Sequence, residues 1–183
     1  MINTKEFARL RKALEESYAV YEDVLKQVRE ILKLSKKIIY SVHRKDDASA
    51  DVKVISAKIK DLRKSIQPQF LAQLKIAEQE YVEAVCLYEF VKTGKIPDAK
   101  DIGVTDSHYL LGLCDLSGEM TRLAINAAID GDSKTALNVR GFVENLYDEL
   151  MQFDFSNGEL RKKFDGIKYD LKRLEEVALQ LKR

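Results

Sequence analysis

Residues that interrupt or cross-link a chain are scarce in this sequence, which has two cysteines, two prolines and eight glycines among 183 residues. Two cysteines exclude a disulfide framework, and neither belongs to a CxxC motif. We predict that Cys86 and Cys114 are buried thiols in apolar helical segments. No apolar run approaches the roughly 20 residues that span a bilayer, and the first residues lack the apolar core of a signal peptide. We therefore expect no membrane association and a cytoplasmic location.

An excess of charge of one sign is also missing. The formal net charge is +1, so no overall field predicts a polyanionic partner, and nucleic-acid binding would need a local basic surface. Charged residues make up 33% of the chain and are interspersed with apolar residues at helical spacing. Together with the few glycines and prolines, this pattern predicts an all-α protein. The length suits a single domain over residues 1–183.

Apolar residues three and four positions apart predict six long helices and one short helical turn. Heptad-like rows along the long helices favour antiparallel packing in a bundle of about seven helices. Apolar faces of this length also predict self-association, without determining the number of subunits. Long helices are predicted at 4–42, 68–93, 105–130 and 160–181. Two further helices are predicted to begin at an N-cap, one at Ser49 or Asp51 and the other at Ser133, and a short helical turn is predicted within 95–106.

Two pairs of acidic residues lie on largely apolar helices. Glu80 and Glu83, in the segment EYVEAVCLYEF, are three residues apart and share one face of the predicted helix. Asp115 and Glu119 lie one turn apart on the helix that begins near residue 106, beside an apolar row. Carboxylates are almost never buried without a partner, so both pairs raise the question of what pairs with them.

If the two helices pack side by side, the four carboxylates meet, and a proton or a cation must offset their repulsion. Oxygen-only ligands favour Mg²⁺ or Mn²⁺, and the absence of a Glu-x-x-His spacing disfavours a di-iron site. Mg²⁺ held by carboxylates can activate water and stabilise an in-line displacement at phosphorus. The alternative is that the acids face solvent or pair with basic residues, as Glu119 could with Arg122 one turn away. Spacing alone leaves both interpretations open.

Three segments of the sequence resemble the translin and Trax (translin-associated factor X) family. They are EYVEAV (80–85), YLLGLCDLSGEMTRLAINAAIDGD (109–132) and LRKKFDGIKYDLKRLEEV (160–177), and the resemblance extends over essentially the whole chain. The first segment matches the acidic pair of Trax-type subunits, and the second matches the acids of their D-L-[ST]-G-E block. The third segment is closer to translin, so the resemblance leaves the subfamily open.

This resemblance implies a seven-helix subunit, assembly into hollow homo-octamers, and Mg²⁺-dependent endoribonuclease activity on single-stranded RNA. Single-stranded DNA as a ligand and a paralogous translin-like subunit as a partner also fit the family. The main alternative is a catalytically inactive, translin-like scaffold that binds single-stranded RNA or DNA, and a third reading is a purely structural helical adaptor. The residues to which the resemblance assigns catalysis and metal binding are Glu80, Glu83, Asp115 and Glu119.

A basic strip follows one face of the first predicted helix at steps of three and four residues. Such strips can track phosphates, and an aromatic side chain on them can stack a base. The plainer interpretation is a solvated face with internal ion pairs. On the acidic row itself, Arg122 and Asn126 are predicted to contact the cleaved phosphate, whereas the basic cluster at 161–163 is predicted to form surface or subunit contacts. The strip residues predicted to bind nucleic acid are Lys33, Lys36, Lys37, Tyr40, His43 and Arg44.

Overall fold

Residues 2–156 and 158–182 are described by the computed structural model, and the regular elements among them are all helical. This confirms the predicted all-α class. Residues 1, 157 and 183 of the predicted domain lie outside the described residues. The helices are α1 (Thr4–His43), α2 (Ser49–Ser65), α3 (Leu71–Thr93), α4 (Ala99–Ile102), α5 (Asp106–Ile129), α6 (Ser133–Leu150) and α7 (Glu159–Gln180), with a 3₁₀ turn (Pro68–Phe70) before α3.

The helix ends follow local chemistry, with two departures from the predicted caps. Gly94 ends α3 at a φ of 75°, a left-handed conformation that suits glycine. The cap of α6 is Asp132, whose carboxylate accepts the N–H of Thr135 at 3.0 Å. The predicted cap, Ser133, is therefore wrong by one position. The N-cap of α2 is Ala48, which makes no side-chain cap, so the predicted caps of α2 are also wrong.

Helices α3 and α5 approach closely at the centre of the bundle because Gly112 of α5 has no side chain. A Cβ at Gly112 would lie 2.6 Å from the Cβ of Val82 and 2.9 Å from the backbone oxygen of Gln79. A larger residue would push the two helices apart. Helix α1 packs on α3, α7 packs on α5, and α2 and α6 complete the bundle. The close approach places the segment after Gly112 beside residues 79–83 of α3.

The first half of α1 carries exposed apolar side chains. The buried residues of α1 begin at Val24, whereas Leu14 and Tyr18 are 52% and 60% exposed. Phe7 and Leu10 are exposed as well. The predicted apolar row of this helix therefore packs within the subunit only along its second half, and the first half presents an apolar row at helical spacing to the surface.

A fully buried carboxylate holds the start of α5 against α2 and α3. Glu78 of α3 is 0% exposed, and its side chain pairs with the guanidinium of Arg63 from α2. It also accepts the backbone N–H of Thr105 at 3.1 Å and lies 2.7 Å from Nδ1 of His108. The N-terminus of α5 thus receives its acceptor from a neighbouring helix, since Thr105 makes no side-chain cap of its own.

Both cysteines are buried free thiols, as predicted. Burial raises the pKa of Cys86 to about 12 and that of Cys114 to about 12, so neither thiol is a nucleophile at neutral pH. Among the described helices, none has both the length and the apolar character needed to cross a bilayer.

Candidate functional site

The structure brings the two predicted acidic pairs together where α3 and α5 approach. Glu80 and Glu83 of α3 and Asp115 and Glu119 of α5 are all half-buried. The charges of the other three each raise the pKa of Glu83, so Glu83 lies within electrostatic range of all of them. These four residues are called the acid cluster below.

Glu83 is the acid most affected by this arrangement. Its pKa is raised to about 8, mainly by burial and then by the charges of Glu80, Asp115 and Glu119, and Lys163 opposes the increase. Burial also raises the pKa of Glu80, and Asp115 adds to that increase. In the absence of a bound cation, the acid cluster therefore retains a proton at neutral pH.

A lysine from α7 enters the acid cluster. Nζ of Lys163 donates to the two carboxylate oxygens of Asp115 at 2.6 and 2.5 Å, and its side chain is 26% exposed. The prediction that the cluster at 161–163 forms only surface or subunit contacts is therefore wrong for Lys163. A signal was available, because Lys163 is spaced three residues from Leu160 and four from Ile167, on the apolar face of α7.

The other end of the acid cluster contacts the C-terminal end of α1. Nε2 of His43 lies 2.5 Å from a carboxylate oxygen of Glu119, and Nη1 of Arg122 lies 3.6 Å from the same oxygen. The bond from His43 is the main cause that lowers the pKa of Glu119. The side chain of His43 is only 3% exposed, so it lies inside the site and not on an exposed basic strip.

The acid cluster fits Mg²⁺ in donor chemistry and in charge. Its ligands are all oxygen atoms, and four carboxylates create an excess of negative charge that a divalent cation would offset. In the part of the chain that the structure describes, however, no three acidic, histidine or cysteine side chains are arranged to enclose an ion. Lys163 and His43 instead pair with Asp115 and Glu119. Metal binding would require these carboxylates to leave their basic partners.

The predicted basic strip runs along α1 towards the acid cluster. Lys33 and Lys36 are exposed, and the charge of Lys36 lowers the pKa of Glu80 against the effect of burial. Tyr40 is 55% exposed, and the guanidinium of Arg122 lies over its ring at 5.3 Å. Lys36, Tyr40 and Arg122 therefore border the acid cluster on its exposed side.

The remaining residues of the predicted interface have more local partners. Lys37 pairs with Asp51 of α2 at 2.8 Å, and Arg44 pairs with Asp46 at 3.0 Å. Asn126 is half-buried on α5, one turn beyond Arg122. These pairs lie at the surface and contribute little to stability, so both cations remain available to a polyanion.

Comparison with known proteins identifies relatives of the whole chain. The model of the Translin family matches residues 19–182. An uncharacterized protein of Methanocaldococcus jannaschii is 34% identical over 154 residues, which are 80% of this chain and 69% of that protein. Translin-associated protein X of Pongo abelii is 28% identical over an alignment of 224 residues, covering 96% of this chain and 77% of that protein.

Solved structures share the fold over the same extent. The crystal structure of apo-NeC3PO has a TM-score of 0.85 and 29% sequence identity, covering 99% of this chain and 98% of that chain. The structure of AfC3PO in complex with duplex RNA has a TM-score of 0.82 and 30% identity, covering 97% and 96% of the two chains. The match to the family model over most of the chain, with these neighbours, shows that this protein belongs to the translin family.

Proposed function

We propose that this protein is a Mg²⁺-dependent endoribonuclease that cleaves single-stranded RNA and works as a hollow homo-oligomer, an octamer. The observation that carries the proposal is the convergence of the acidic pairs of α3 and α5, where burial and then the charges of the neighbouring acids raise the pKa of Glu83 to about 8. A structural neighbour, AfC3PO, has been solved with duplex RNA, which supports RNA as the polymer.

Each element of the acid cluster has a role in this proposal. Bound among the carboxylates, Mg²⁺, or Mn²⁺ in its place, supplies positive charge that offsets the acids and the charge developing on the phosphate. We assign the proton released by the attacking water to Glu83, because burial makes its ionised carboxylate a stronger base than an exposed one. The residues that would hold the metal are Glu80, Glu83, Asp115 and Glu119.

The cations around the acid cluster position the RNA. Arg122 is partly exposed beside Glu119 and is placed to neutralise the phosphate that is cleaved. Tyr40, exposed beneath Arg122, offers a face on which a base can stack. Lys33, Lys36 and Arg44 extend the positive surface along α1 and its end, where they can follow neighbouring phosphates.

The exposed apolar row of α1 supports assembly. Phe7, Leu10, Leu14 and Tyr18 lie at helical spacing and are at least 46% exposed. A contiguous apolar surface of this kind marks an interaction site more often than a free surface. A second copy of the chain, or a paralogous translin-like subunit, would cover it in the proposed oligomer.

Incubation of the protein with end-labelled RNA tests the activity directly. We expect cleavage of single-stranded RNA in Mg²⁺, slower cleavage of the duplex, and no cleavage in EDTA, because without the metal nothing offsets the charge of the acids and the phosphate together. Attack by water leaves a 5′-phosphate and a 3′-hydroxyl. Cyclic phosphate ends would show that the RNA's own 2′-hydroxyl attacks, and cleavage that persists in EDTA would overturn the metal mechanism.

One observation favours a second candidate function, a catalytically inactive scaffold that binds single-stranded nucleic acid. Asp115 is paired with Lys163 and Glu119 with His43, as expected if basic side chains permanently neutralise the acids. Such a scaffold would bind RNA with strong salt dependence and leave it intact in Mg²⁺. Binding without turnover under the conditions above would establish it in place of the enzyme.

Substitution of Lys163 with methionine distinguishes a displaceable cation from a permanent one. Because Lys163 occupies both oxygens of Asp115, its removal is expected to tighten Mg²⁺ binding about fivefold, equivalent to about 1 kcal/mol. Isothermal titration of the RNA-free protein with Mg²⁺ measures this. The matched control is Lys162→Met, at an exposed neighbouring position on the same helix. Unchanged or weaker binding in Lys163→Met alone would show that Lys163 does not compete with the ion.

A further inference from the structure

A second feature adjoins the acid cluster: a cavity of about 760 Å³ formed by the C-terminal end of α1 together with α3, α5 and α6. It shares His43 with the surroundings of the acid cluster. Its volume lies in the range of roughly 300 to 1,000 Å³ that accommodates small organic ligands. A ligand in this cavity would therefore lie next to a group bound at the acid cluster.

The walls of the cavity combine aromatic rings with amides. Phe90 and Phe142 line it, with ring centroids 4.7 Å apart and a tilt of 54° between them. Asn126, Asn138 and Asn145 also line it. Aromatic surface suits a planar ring, and each amide offers both donors and an acceptor, the combination that reads the edge of a nucleobase.

The charge of the cavity selects against a phosphate. Asp130 and Asp132 line it together with Lys45, and Nζ of Lys45 lies 2.7 Å from Asp130, so the lysine offsets one of the two carboxylates. The carboxylate of Asp132 accepts the N–H of Thr135. Two carboxylates against one lysine leave the lining with an excess of negative charge, so the cavity favours an uncharged group with hydrogen-bond donors over an anion.

An unsatisfied polar atom adds an independent observation. His43 lines the cavity, its side chain is 3% exposed, and its Nδ1 is buried without a hydrogen-bond partner among the described residues. Buried polar atoms are normally paired, so the His43 ring has hydrogen-bonding capacity that the described residues leave unused. Because Nε2 of the same ring contacts Glu119, His43 connects the cavity to the acid cluster.

We infer that this cavity binds the base of a nucleotide adjacent to the phosphate that is cleaved, and that its amides give the enzyme a base preference at that position. The inference rests on the proposed function for the identity of the polymer. The base is the part of a nucleotide that matches the cavity, since it is planar, uncharged and bordered by donors and acceptors. The phosphates remain with the cations outside.

The test uses the double variant Asn138→Ala/Asn145→Ala, because both side chains are exposed on α6 and their removal leaves the core intact. In EDTA, where no cleavage is expected, its affinity for a single-stranded RNA containing 2-aminopurine should fall about fivefold. In Mg²⁺, sequencing the ends produced from a random RNA pool should show a base preference at one position for the wild type and a weaker one for the variant. Gln152→Ala, an exposed amide beyond α6 and outside the cavity, is the control and should match the wild type.

The outcomes separate this inference from the proposed function. If RNA is cleaved but the double variant keeps the base preference and affinity of the wild type, the cavity does not bind a base. The proposed endoribonuclease function would still hold. If no RNA is cleaved, the binding measurement in EDTA still decides the inference. A third variant, Leu137→Glu, places a charge on an exposed leucine at the cavity rim. Loss of the oligomer in that variant would show that a second copy of the chain covers the cavity, and would overturn the inference.

Discussion

Replacing Glu83 with glutamine is expected to remove a pH dependence from the stability of the metal-free protein and to slow RNA cleavage about a hundredfold or more. Burial and three neighbouring carboxylates raise the pKa of Glu83 from 4.5 to about 8. At pH values between 4.5 and about 8, Glu83 of the folded protein holds a proton that Glu83 of the unfolded chain has released. The stability that this proton contributes is fully present below about pH 4.5 and is lost as the pH rises through about 8.

Glutamine resembles the protonated acid and does not titrate, so the variant should keep this stability at high pH. Above pH 8 we expect the variant to exceed the wild type by about 2 kcal/mol, or about 4 to 8 °C in melting temperature. Thermal unfolding in EDTA across about pH 5 to pH 9 measures the difference. Glu149→Gln, at an exposed position on α6, is the control. Parallel curves for the wild type and Glu83→Gln would show that Glu83 does not hold the proton.

Addition of Mg²⁺ should change the pH dependence of the wild type's stability in the opposite direction to that caused by protonation of Glu83. A cation among the carboxylates favours their ionised forms, so it is expected to stabilise the wild type most at high pH and to release a proton on binding. Glu83→Gln should show much less of either effect. Stabilisation of equal size in the wild type and the variant would place the ion elsewhere.

Replacing Glu78 with alanine is expected to lower the free energy of unfolding by about 3 kcal/mol. The carboxylate is fully buried and serves three groups, the guanidinium of Arg63, the N–H of Thr105 and Nδ1 of His108. Its loss leaves the basic side chains without their counter-ion and the start of α5 without its acceptor. Chemical unfolding followed by circular dichroism measures the change.

A graded series shows which of these contacts matters. Glu78→Gln keeps an acceptor for the N–H of Thr105 but loses the charge, so its stability should lie between those of the wild type and Glu78→Ala. Glu149→Ala again serves as the exposed control and should change stability by less than about 0.5 kcal/mol. If Glu78→Ala unfolds at the same denaturant concentration as that control, the buried carboxylate does not hold α5 in place.

Much of the fold could be predicted because helix formation depends on neighbouring residues. The apolar rows recur at three and four positions along the chain, and Gly94 ends α3 where a left-handed residue is needed. The caps were harder to assign, since Asp132 and Ser133 are adjacent and both can act as N-caps. The exposed row of α1 shows a further limit, because periodicity reveals an apolar face but not whether the subunit itself covers it.

The acidic residues of the candidate site could be predicted because they contrast with the apolar residues around them in the sequence. Glu80, Glu83, Asp115 and Glu119 stand out because each interrupts an apolar helix, and that contrast is visible in the sequence. Glu78, two residues before Glu80, carries no such distinguishing contrast, yet it is the acid that the fold buries completely. Burial depends on what packs against a residue, and that information lies elsewhere in the chain.

The sequence by itself determined the helices, the positions of the acidic pairs and the resemblance that led to the family. Only the tertiary structure decided which basic side chain pairs with which acid. Lys163 of α7 pairs with Asp115, and His43 is buried beside Glu119 and is not part of the exposed basic strip. The physical reason is that spacing along a helix fixes the direction of a side chain relative to its own axis. Its partner, its burial and hence its pKa depend on how several helices pack around it, here on the close approach of α3 and α5 at Gly112.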